Sequence, residues 1–511
     1  MPARRVKCFV ASVAAIGAVA LLPAAASAHP EECANASTVA SAPNADWFAD
    51  WSASYDDCLA QSASANFDDS GAQLTAASAE DGTRNLKLMA SQAKPAPFET
   101  EGDFNSDIAF ENGYAFQGNY DGFMVWDVRE PENPRLASSV HCPGSQNDVT
   151  VNDGILVTST DSIRNKAECD LNVSVPSTSP DYGAESNWEG LRIFDVRNPY
   201  RPRYLAAVET DCGSHTHTAI PERDRILIYV QSYDLGAGKA NCDAAVDPHD
   251  KISIVAIPKG NPANARVVAE PVLFPDGGND GTAGTLRATT GCHDITVYQA
   301  VGLAAGACTG EGVIMDIRNP VRPRVLANIE DTNFAFWHSA TFSNDGKKVL
   351  FTDELGGGGQ AVCNTTVGPT RGADGIYDIT DPANPRFLSY FKIPRAQTNT
   401  ENCVAHNGNL IPNKKGRDVI IQSWYQGGVS VVDWTNGSKP KELGWFDRGP
   451  LDEARLILGG FWSSYFYNGH IFGSEIQRGW DVFKFNDPKV KGSKKYDVGT
   501  LNAQTQYPFG Q

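Results

Sequence analysis

The chain has 511 residues, of which 41% are hydrophobic and 20% are charged, and its formal net charge is −18. Such a surplus of carboxylates argues against nucleic acid and anionic membrane surfaces as partners, because both are themselves negatively charged. Beyond the N-terminus no segment reaches the run of about 18 apolar residues that a membrane helix needs, so we expect no membrane span.

The N-terminal residues 1–28 have the features of a secretory signal peptide. Three basic residues precede an apolar run over 9–22, and the small residues at 26–28 suit cleavage. We therefore expect a bacterial protein that is secreted or associated with the cell surface. Residues 29–83 are rich in Ala, Ser, Asp and Asn, and we interpret them as an N-terminal extension or linker.

A ten-residue phrase recurs along the rest of the chain at a near-constant interval. The clear copies read WDVREPENPR (126–135), FDVRNPYRPR (194–203), MDIRNPVRPR (315–324) and YDITDPANPR (377–386). Weaker copies are found at 254–266, 432–441 and 482–489. Units of roughly 50–70 residues indicate a repeat architecture such as a propeller.

Each unit has the sequence pattern of antiparallel strands. Apolar residues alternate before the aspartate of the phrase, as in GLRIFDV (190–196), and such alternation is typical of a strand. The aspartate can cap the following turn, and the prolines end the strand. We therefore predict an all-β fold, a seven-bladed β-propeller with four-stranded antiparallel blades, over residues 84–511. We expect 85–91 to supply the outer strand of blade 7, with a strand near 495–501 as the rival closure.

The repeated phrase resembles the repeat of the LVIVD family of bacterial and archaeal surface and secreted proteins. The resemblance rests on the apolar–Asp–X–X–X–Pro–X–X–Pro pattern of the copies quoted above and spans most of residues 105–490. It implies a propeller, in agreement with the strand pattern, and implies little about chemistry.

Ten cysteines follow the predicted signal peptide, and an even number in an exported chain indicates disulfides. In a propeller, the loop that enters an inner strand and the loop that joins the second and third strands lie on the same face. Pairing cysteines from these two kinds of loop, and the two in the N-terminal segment, predicts Cys33–Cys58, Cys142–Cys169, Cys212–Cys242, Cys292–Cys308 and Cys363–Cys403.

Five histidines lie at the starts of predicted inner strands, which converge at one mouth of the central channel. They occur in SHTHTAIP, CHDITV, WHSATF and AHNGNLIP, as His215, His217, His293, His338 and His406. Imidazoles from four consecutive blades would then face a common space. The alternative is that each histidine hydrogen-bonds a neighbouring blade and helps to close the ring.

Second strands end at the same mouth and carry carboxylates there. Asp353 and Glu354 lie in FTDELGGGG, and Glu475 lies in GSEIQRG. Histidines together with carboxylates around a concave mouth suit a transition metal such as Cu, Zn or Fe. We expect the five histidines to be metal ligands and the three carboxylates to be supporting or acid/base groups.

Two functions are compatible with this pattern. The first is a secreted, metal-dependent propeller that oxidises or hydrolyses a small extracellular substrate. The second is a non-catalytic recognition or adhesion module, whose face with Trp424, Tyr425 and Trp462 binds a protein or glycan. In both cases the partner is a small molecule or surface ligand at the propeller mouth, and we expect a monomer. The HExxH, GxSxG and P-loop signatures are absent from the sequence.

Overall fold

The alternating apolar segments form strands, and these strands assemble into seven antiparallel sheets. The architecture is that of a computed structural model, which describes residues 82–508 apart from 170–172, 176–178, 180, 182–183, 185, 234–248, 285 and 414. The predicted seven-bladed propeller with four-stranded blades is confirmed. The predicted signal peptide, most of the predicted extension and the predicted Cys33–Cys58 disulfide lie outside the described residues.

Two strands precede the first blade, and the strands of each blade are ordered from the channel outward. The preceding strands are β1 (Gly82–Arg84) and β2 (Leu86–Gln92). Blade 1 contains β3 (Asn105–Glu111), β4 (Tyr114–Asn119), β5 (Gly122–Asp127) and β6 (Arg135–His141). Blade 2 contains β7 (Val149–Asn152), β8 (Ile155–Arg164), β9 (Trp188–Asp195) and β10 (Arg203–Glu209). Blade 3 contains β11 (Thr216–Pro221), β12 (Arg225–Gln231), β13 (Ser253–Pro258) and β14 (Arg266–Ala269).

The remaining blades follow the same order. Blade 4 contains β15 (Asp294–Tyr298), β16 (Leu303–Cys308), β17 (Glu311–Asp316) and β18 (Arg324–Ile329). Blade 5 contains β19 (Trp337–Phe342), β20 (Lys348–Asp353), β21 (Asp374–Asp378) and β22 (Arg386–Phe391). Blade 6 contains β23 (Gly408–Leu410), β24 (Val419–Ser423), β25 (Val429–Asp433) and β26 (Lys441–Asp447). Blade 7 contains β27 (Phe461–Tyr467), β28 (His470–Glu475) and β29 (Gly479–Phe485), and β30 (Thr500–Asn502) follows it.

The helices of the described residues are short 3₁₀ turns at Pro262–Asn264, Gln299–Val301, Pro488–Val490 and Ser493–Lys495. No helix in this part of the chain is long and apolar enough to cross a membrane. The hydrophobic core lies between adjacent sheets, where aromatic rings of neighbouring blades pack together. Trp126 of blade 1 stacks on Trp480 of blade 7, for example, with ring centroids 5.8 Å apart.

The aspartate of the repeated phrase ends the third strand of its blade and caps the turn that follows. In blade 4, Asp316 Oδ1 accepts the backbone N–H of Arg318 at 3.0 Å, and Oδ2 accepts from the Arg324 guanidinium at 2.8 Å. Arg324 is the ladder partner of Asp316 between β17 and β18, so the carboxylate ties both strands to the turn. Asp195 makes the equivalent contacts in blade 2, which confirms the predicted capping role.

The ring is closed by the N-terminal strands. β2 pairs with β29 as the outer strand of blade 7, with Leu86 opposite Phe485, and this confirms the predicted closure. β1 adds a further strand to the outer edge of blade 6 by pairing with β26. The first and last parts of the propeller therefore share one sheet, so the ring cannot open without breaking that sheet.

The strand expected near 495–501 as the alternative closure of blade 7 has a different position in the structure. β30 pairs with the inner strand β3 and so lies within the channel, rather than at the outer edge of blade 7. The tail after β30 then crosses the far ends of four further inner strands. Its hydrogen bonds join Asn502 to Val151, Thr505 to Ala219, Gln504 to Val297 and Gln506 to Phe342. The C-terminal tail thus closes the channel at the end opposite the inner-strand starts.

Three of the predicted disulfides are present in the described residues: Cys142–Cys169, Cys292–Cys308 and Cys363–Cys403. The first two lie within blades 2 and 4, and the third joins the segment after β20 to the entry of blade 6. Cys212 is also disulfide-bonded, but Cys242, its predicted partner, lies outside the described residues.

Candidate metal centre

Four histidines from four consecutive blades form a row at one mouth of the channel. We call His215, His293, His338 and His406 the histidine row; they lie at the inner-strand starts of blades 3 to 6. Successive ring centroids are 4.3, 4.1 and 4.3 Å apart. Each of the four residues is at most 5% exposed. The common space expected from the repeat alignment therefore exists, and it is closed to bulk water.

The outer ring nitrogens at the two ends of the row are held by acceptors from neighbouring blades. His215 Nδ1 lies 2.6 Å from Asp161 Oδ2 of blade 2. His406 Nδ1 lies 2.5 Å from the backbone carbonyl oxygen of Trp462 in blade 7. A carbonyl oxygen has no proton to give, so His406 must donate from Nδ1, and its Nε2 then carries a lone pair. His215 Nδ1 likewise donates to the carboxylate of Asp161.

The two central histidines have similar outer contacts. His338 Nδ1 lies 3.2 Å from Thr352 Oγ1, and His293 Nδ1 lies 3.3 Å from the carboxylate of Asp294. All four Nδ1 atoms therefore face oxygen atoms of the protein. An oxygen atom opposite Nδ1 orients a metal-binding histidine so that its Nε2 faces the metal ion.

The Nε2 atoms point into the space that the row encloses. His215 Nε2 and His293 Nε2 are 2.8 Å apart. Glu354 lies against the other end, with its two carboxylate oxygens 3.9 Å from His338 Nε2 and 3.7 Å from His406 Nε2. One ligand atom each from His293, His338 and Glu354 lies within 4.8 Å of the others. Small side-chain movements would bring these donors to the Zn–N distance of roughly 2.0–2.1 Å around one ion.

Burial determines the charge of the site. It lowers the pKa of His293 to about 4, with His215 adding to the effect, and it lowers the pKa of His406 to about 3. Burial also raises the pKa of Glu354 to about 8, although the Tyr425 hydroxyl opposes this by donating to Glu354 Oε1 at 2.6 Å. The imidazoles of His293 and His406 are thus neutral at pH 7, as metal ligands must be.

Aromatic rings cover the row. Tyr233 and Phe336 pack on its first half, with the His215–Tyr233 and His293–Phe336 centroids 4.8 and 5.5 Å apart. Tyr425 and Trp462 pack on His406, with centroids at 4.5 and 5.3 Å. This cover excludes water from the imidazoles, and it strengthens electrostatic interactions within the site because the local dielectric constant is low.

Several of these residues were missed in the sequence. The sequence pattern does not indicate Asp161, Tyr233 or Phe336 as part of the site, and it indicates Tyr425 only as part of a recognition face. Asp161, Tyr233, Glu354 and Tyr425 share a position, because each lies where the second strand of its blade reaches the histidine mouth. Aligning the repeat copies at that point, rather than only at the repeated phrase, would have found them.

His217 is set apart from the row, although it was predicted as a ligand. Its Nε2 lies 2.8 Å from Thr150 Oγ1, and its Nδ1 lies 2.8 Å from Ser159 Oγ. Both ring nitrogens are therefore occupied, and burial lowers the pKa of His217 to about 3. We remove His217 from the ligand set, since its side chain joins blades 2 and 3 as the alternative interpretation of the histidines expected.

The carboxylates of Asp353 and Glu475 also lie outside the enclosed space. Asp353 accepts three backbone N–H groups, those of Ala335, Phe336 and Gly372. Glu475 accepts the backbone N–H groups of Gly460 and Gln477 at 3.0 and 2.8 Å. Both side chains fix loops at the mouth, so the predicted acid/base role is left to Glu354 alone.

A second group of metal-binding residue types occurs at Asp211, Cys212 and His249. Cys212 is disulfide-bonded, so it has no thiolate to offer a metal ion. The histidine row is therefore the stronger candidate among the described residues.

No protein-family model matches the chain, and a comparison with curated proteins gives no match. Among solved structures, hydrazine synthase of Kuenenia stuttgartiensis is similar at 10% identity and a TM-score of 0.46, over 75% of this chain and 96% of that one. A functionally unknown protein from Desulfotomaculum acetoxidans is similar at 13% identity and a TM-score of 0.43, over 72% and 93% of the two chains. These similarities are limited to the fold and identify no family.

Proposed function

We propose that the histidine row binds a transition-metal ion, Cu, Zn or Fe, and that the protein is an exported metal-dependent enzyme acting on a small molecule at the propeller mouth. The observation that carries the proposal is the shared orientation of four imidazoles. Each Nδ1 faces an oxygen atom of the protein, and the Nε2 atoms point into the enclosed space. Ring closure accounts for the Nδ1 contacts to neighbouring blades, but it does not account for Nε2 atoms that lie close to one another and to Glu354.

The donor set suits this class of metal. Imidazole nitrogens are ligands for Zn, Cu and Fe, whereas Mg and Ca prefer oxygen. When bound, such an ion supplies Lewis-acid or redox chemistry, which corresponds to hydrolysis or oxidation of the substrate. Glu354 is the residue placed to exchange a proton with the substrate, because its two carboxylate oxygens lie beside the Nε2 atoms of His338 and His406.

The recognition alternative is weaker. It relied on Trp424, Tyr425 and Trp462 as a contact face, but these residues are 0%, 1% and 8% exposed. Their rings pack inside the propeller, so they offer little area to a protein or glycan. The disulfides of the described residues fit an extracellular protein, and this supports the proposed export.

Elemental analysis of protein secreted by its native host tests the proposal. We expect close to one transition-metal ion per chain, and a loss to below about a tenth in the double variant His293→Ala/His338→Ala. His470→Ala is the matched control, because His470 begins β28 at the end of blade 7 opposite the histidine mouth, and the change should leave the metal content unchanged. Metal that is substoichiometric in the native protein, or that persists in the double variant, would overturn the proposal.

A further inference from the structure

An arginine lies at the rim of the mouth that holds the histidine row. The guanidinium carbon of Arg287 lies 5.1 Å from the ring centroid of Phe336, and the Phe336 centroid lies 5.5 Å from that of His293. Arg287 is exposed to solvent, whereas Phe336 and His293 are buried. The guanidinium is therefore the outermost group over this half of the site. Its face rests on an aromatic ring, which leaves the N–H groups at its edge able to bind a ligand.

Arg287 has no carboxylate partner in the described part of the chain. Other arginines pair with acidic side chains there, as Arg197, Arg318 and Arg395 do. Acidic residues are also the more numerous, with 61 Asp and Glu against 43 Lys and Arg. A guanidinium without an ion pair beside a candidate active site is therefore available to an anion from outside the protein.

The backbone around Arg287 is firmly held. The next residue, Ala288, forms a bridge with Asp280, and its carbonyl oxygen accepts the Thr309 hydroxyl at 3.2 Å. Gly310 packs directly against Arg287, because a Cβ at this glycine would lie 2.3 Å from the Arg287 carbonyl oxygen. A binding group on fixed backbone loses little conformational entropy when a ligand arrives.

The inner end of the site is unsuited to a second negative charge from a substrate. Besides the imidazoles of the histidine row, it contains the carboxyl groups of Asp161 and Glu354. Burial raises the pKa of Glu354 and of Tyr233, and the positive charge of Arg287 opposes both shifts. The field of Arg287 therefore reaches into the site from the rim, where it would hold an anionic group away from the inner carboxyl groups.

The surface between the rim and the row is aromatic. Tyr233 is half-buried, and its ring centroid lies 5.7 Å from that of Phe336 and 5.6 Å from that of His293. Aromatic faces and edges of this kind pack well against another flat ring. One planar cation next to aromatic rings thus matches a molecule that has a carboxylate on an aromatic ring.

We propose that the substrate class of this site is a small aromatic carboxylate, which Arg287 binds at the rim through its carboxylate and which packs its ring on Tyr233 and Phe336. The inference rests on the proposed function, because it names the substrate class of the same site. The planar fork of a guanidinium matches the two oxygens of a carboxylate. The end of the substrate remote from its carboxylate is then the part directed toward the histidine row and Glu354.

The test uses benzoate as the probe and benzamide as its uncharged counterpart of similar shape. Ligand-detected NMR titrations measure the Kd of each for the secreted protein, both as isolated and after treatment with EDTA. We expect benzoate to bind the EDTA-treated protein with a Kd below about 10 mM, and about 10-fold more tightly than benzamide does. Arg287→Gln should weaken benzoate binding by about 10-fold and leave benzamide binding unchanged.

Arg322→Gln is the matched control. It changes another exposed arginine, in the repeated phrase of blade 4 on the opposite face, and should bind benzoate as wild type does. The proposal is overturned if wild type fails to bind benzoate in this range or binds it no more tightly than benzamide. It is also overturned if Arg287→Gln binds benzoate as wild type does. Because these results are read in EDTA-treated protein, a failure of the metal proposal would show in the elemental analysis and not in these titrations.

Discussion

The Nε2 atoms of His215 and His293 lie 2.8 Å apart, so two imidazoles from neighbouring blades point their inner nitrogens at each other. His215 donates from Nδ1 to Asp161, and only one of the two facing Nε2 atoms can carry the proton of the hydrogen bond between them. If that proton is on His293, the neutral ring of His293 turns a lone pair at Nδ1 toward the carboxylate of Asp294. His293 Nδ1 and Asp294 Oδ1 indeed lack hydrogen-bond partners. A metal ion bound by both Nε2 atoms removes this conflict, since His293 could then carry its proton at Nδ1.

Asp161 should therefore act on the metal through His215. The change Asp161→Asn keeps the shape of the side chain but removes the charge behind the imidazole, and we expect metal affinity to fall by about 10- to 100-fold. Titration against a competing chelator measures the change. Asp378→Asn, on the opposite face of the propeller, is the control and should bind as wild type does. Equal affinities in all three proteins would mean that Asp161 has no part in orienting the ligand.

His217 should contribute to stability rather than to metal binding. Replacing it by alanine removes a buried ring and leaves the hydroxyls of Thr150 and Ser159 without their partner. We expect His217→Ala to lower the free energy of unfolding by about 2–4 kcal/mol and to leave the metal content unchanged. Chemical denaturation and elemental analysis on the same preparation check both parts. A loss of metal from folded His217→Ala would return His217 to the ligand set.

Asp433 should make stability depend on pH in acid. Burial opposes its ionisation, but contacts from Lys489, Thr435 and Arg417 outweigh this and lower the pKa of Asp433 to about 2, from 3.8. Because the folded-state pKa is lower, the stabilisation is fully present above the unfolded pKa and is lost as the pH falls toward 2. Asp433→Asn should cost about 2 kcal/mol at pH 7 and almost nothing near pH 2.

Urea denaturation of wild type and Asp433→Asn at pH 7, 4 and 2.5 measures this difference. The two curves should converge only at the lowest pH. A difference that stays constant over the whole range would show that packing, rather than charge, explains the effect of the substitution.

The C-terminal tail should stabilise the whole ring. Ending the chain at Gly499 removes β30 and the hydrogen bonds that the tail makes to the inner strands of blades 2 to 5. At roughly 1 kcal/mol for each of these contacts, we expect a loss of about 4 kcal/mol. Ending the chain at Gln506 keeps these contacts and serves as the control. If both truncated proteins melt together with wild type, the tail has no stabilising role.

Much of the fold could be predicted because its signal is local. The aspartate of the repeated phrase ends a strand, caps the next turn and binds the arginine opposite it, and all three contacts lie within eight residues, as at Asp316. Asp195 and Asp378 make the same contact to the opposite arginine, whereas Asp127 binds Arg129 instead. The outer strand of blade 7 could be inferred as well, since only one apolar segment before the first blade was left to pair.

The site was predicted only in part. Periodicity placed His215, His293, His338 and His406 at equivalent positions, but it could not distinguish His217, two residues from His215, because alternation in a strand makes both plausible ligands. Asp353 and Glu354 are neighbours in the same way. The structure assigns Asp353 to three backbone N–H groups and Glu354 to the histidines.

The sequence by itself determined the number of blades, the turns between their outer strands and the level at which the histidines lie, since each depends on residues close together in the chain. Only the tertiary structure decided which ring nitrogens face inward, because the groups that hold them come from other blades. Asp161 of blade 2 holds His215 of blade 3, and the Trp462 carbonyl of blade 7 holds His406 of blade 6. Hydrogen bonds between distant segments have no local signature, and the tail in the channel has none either.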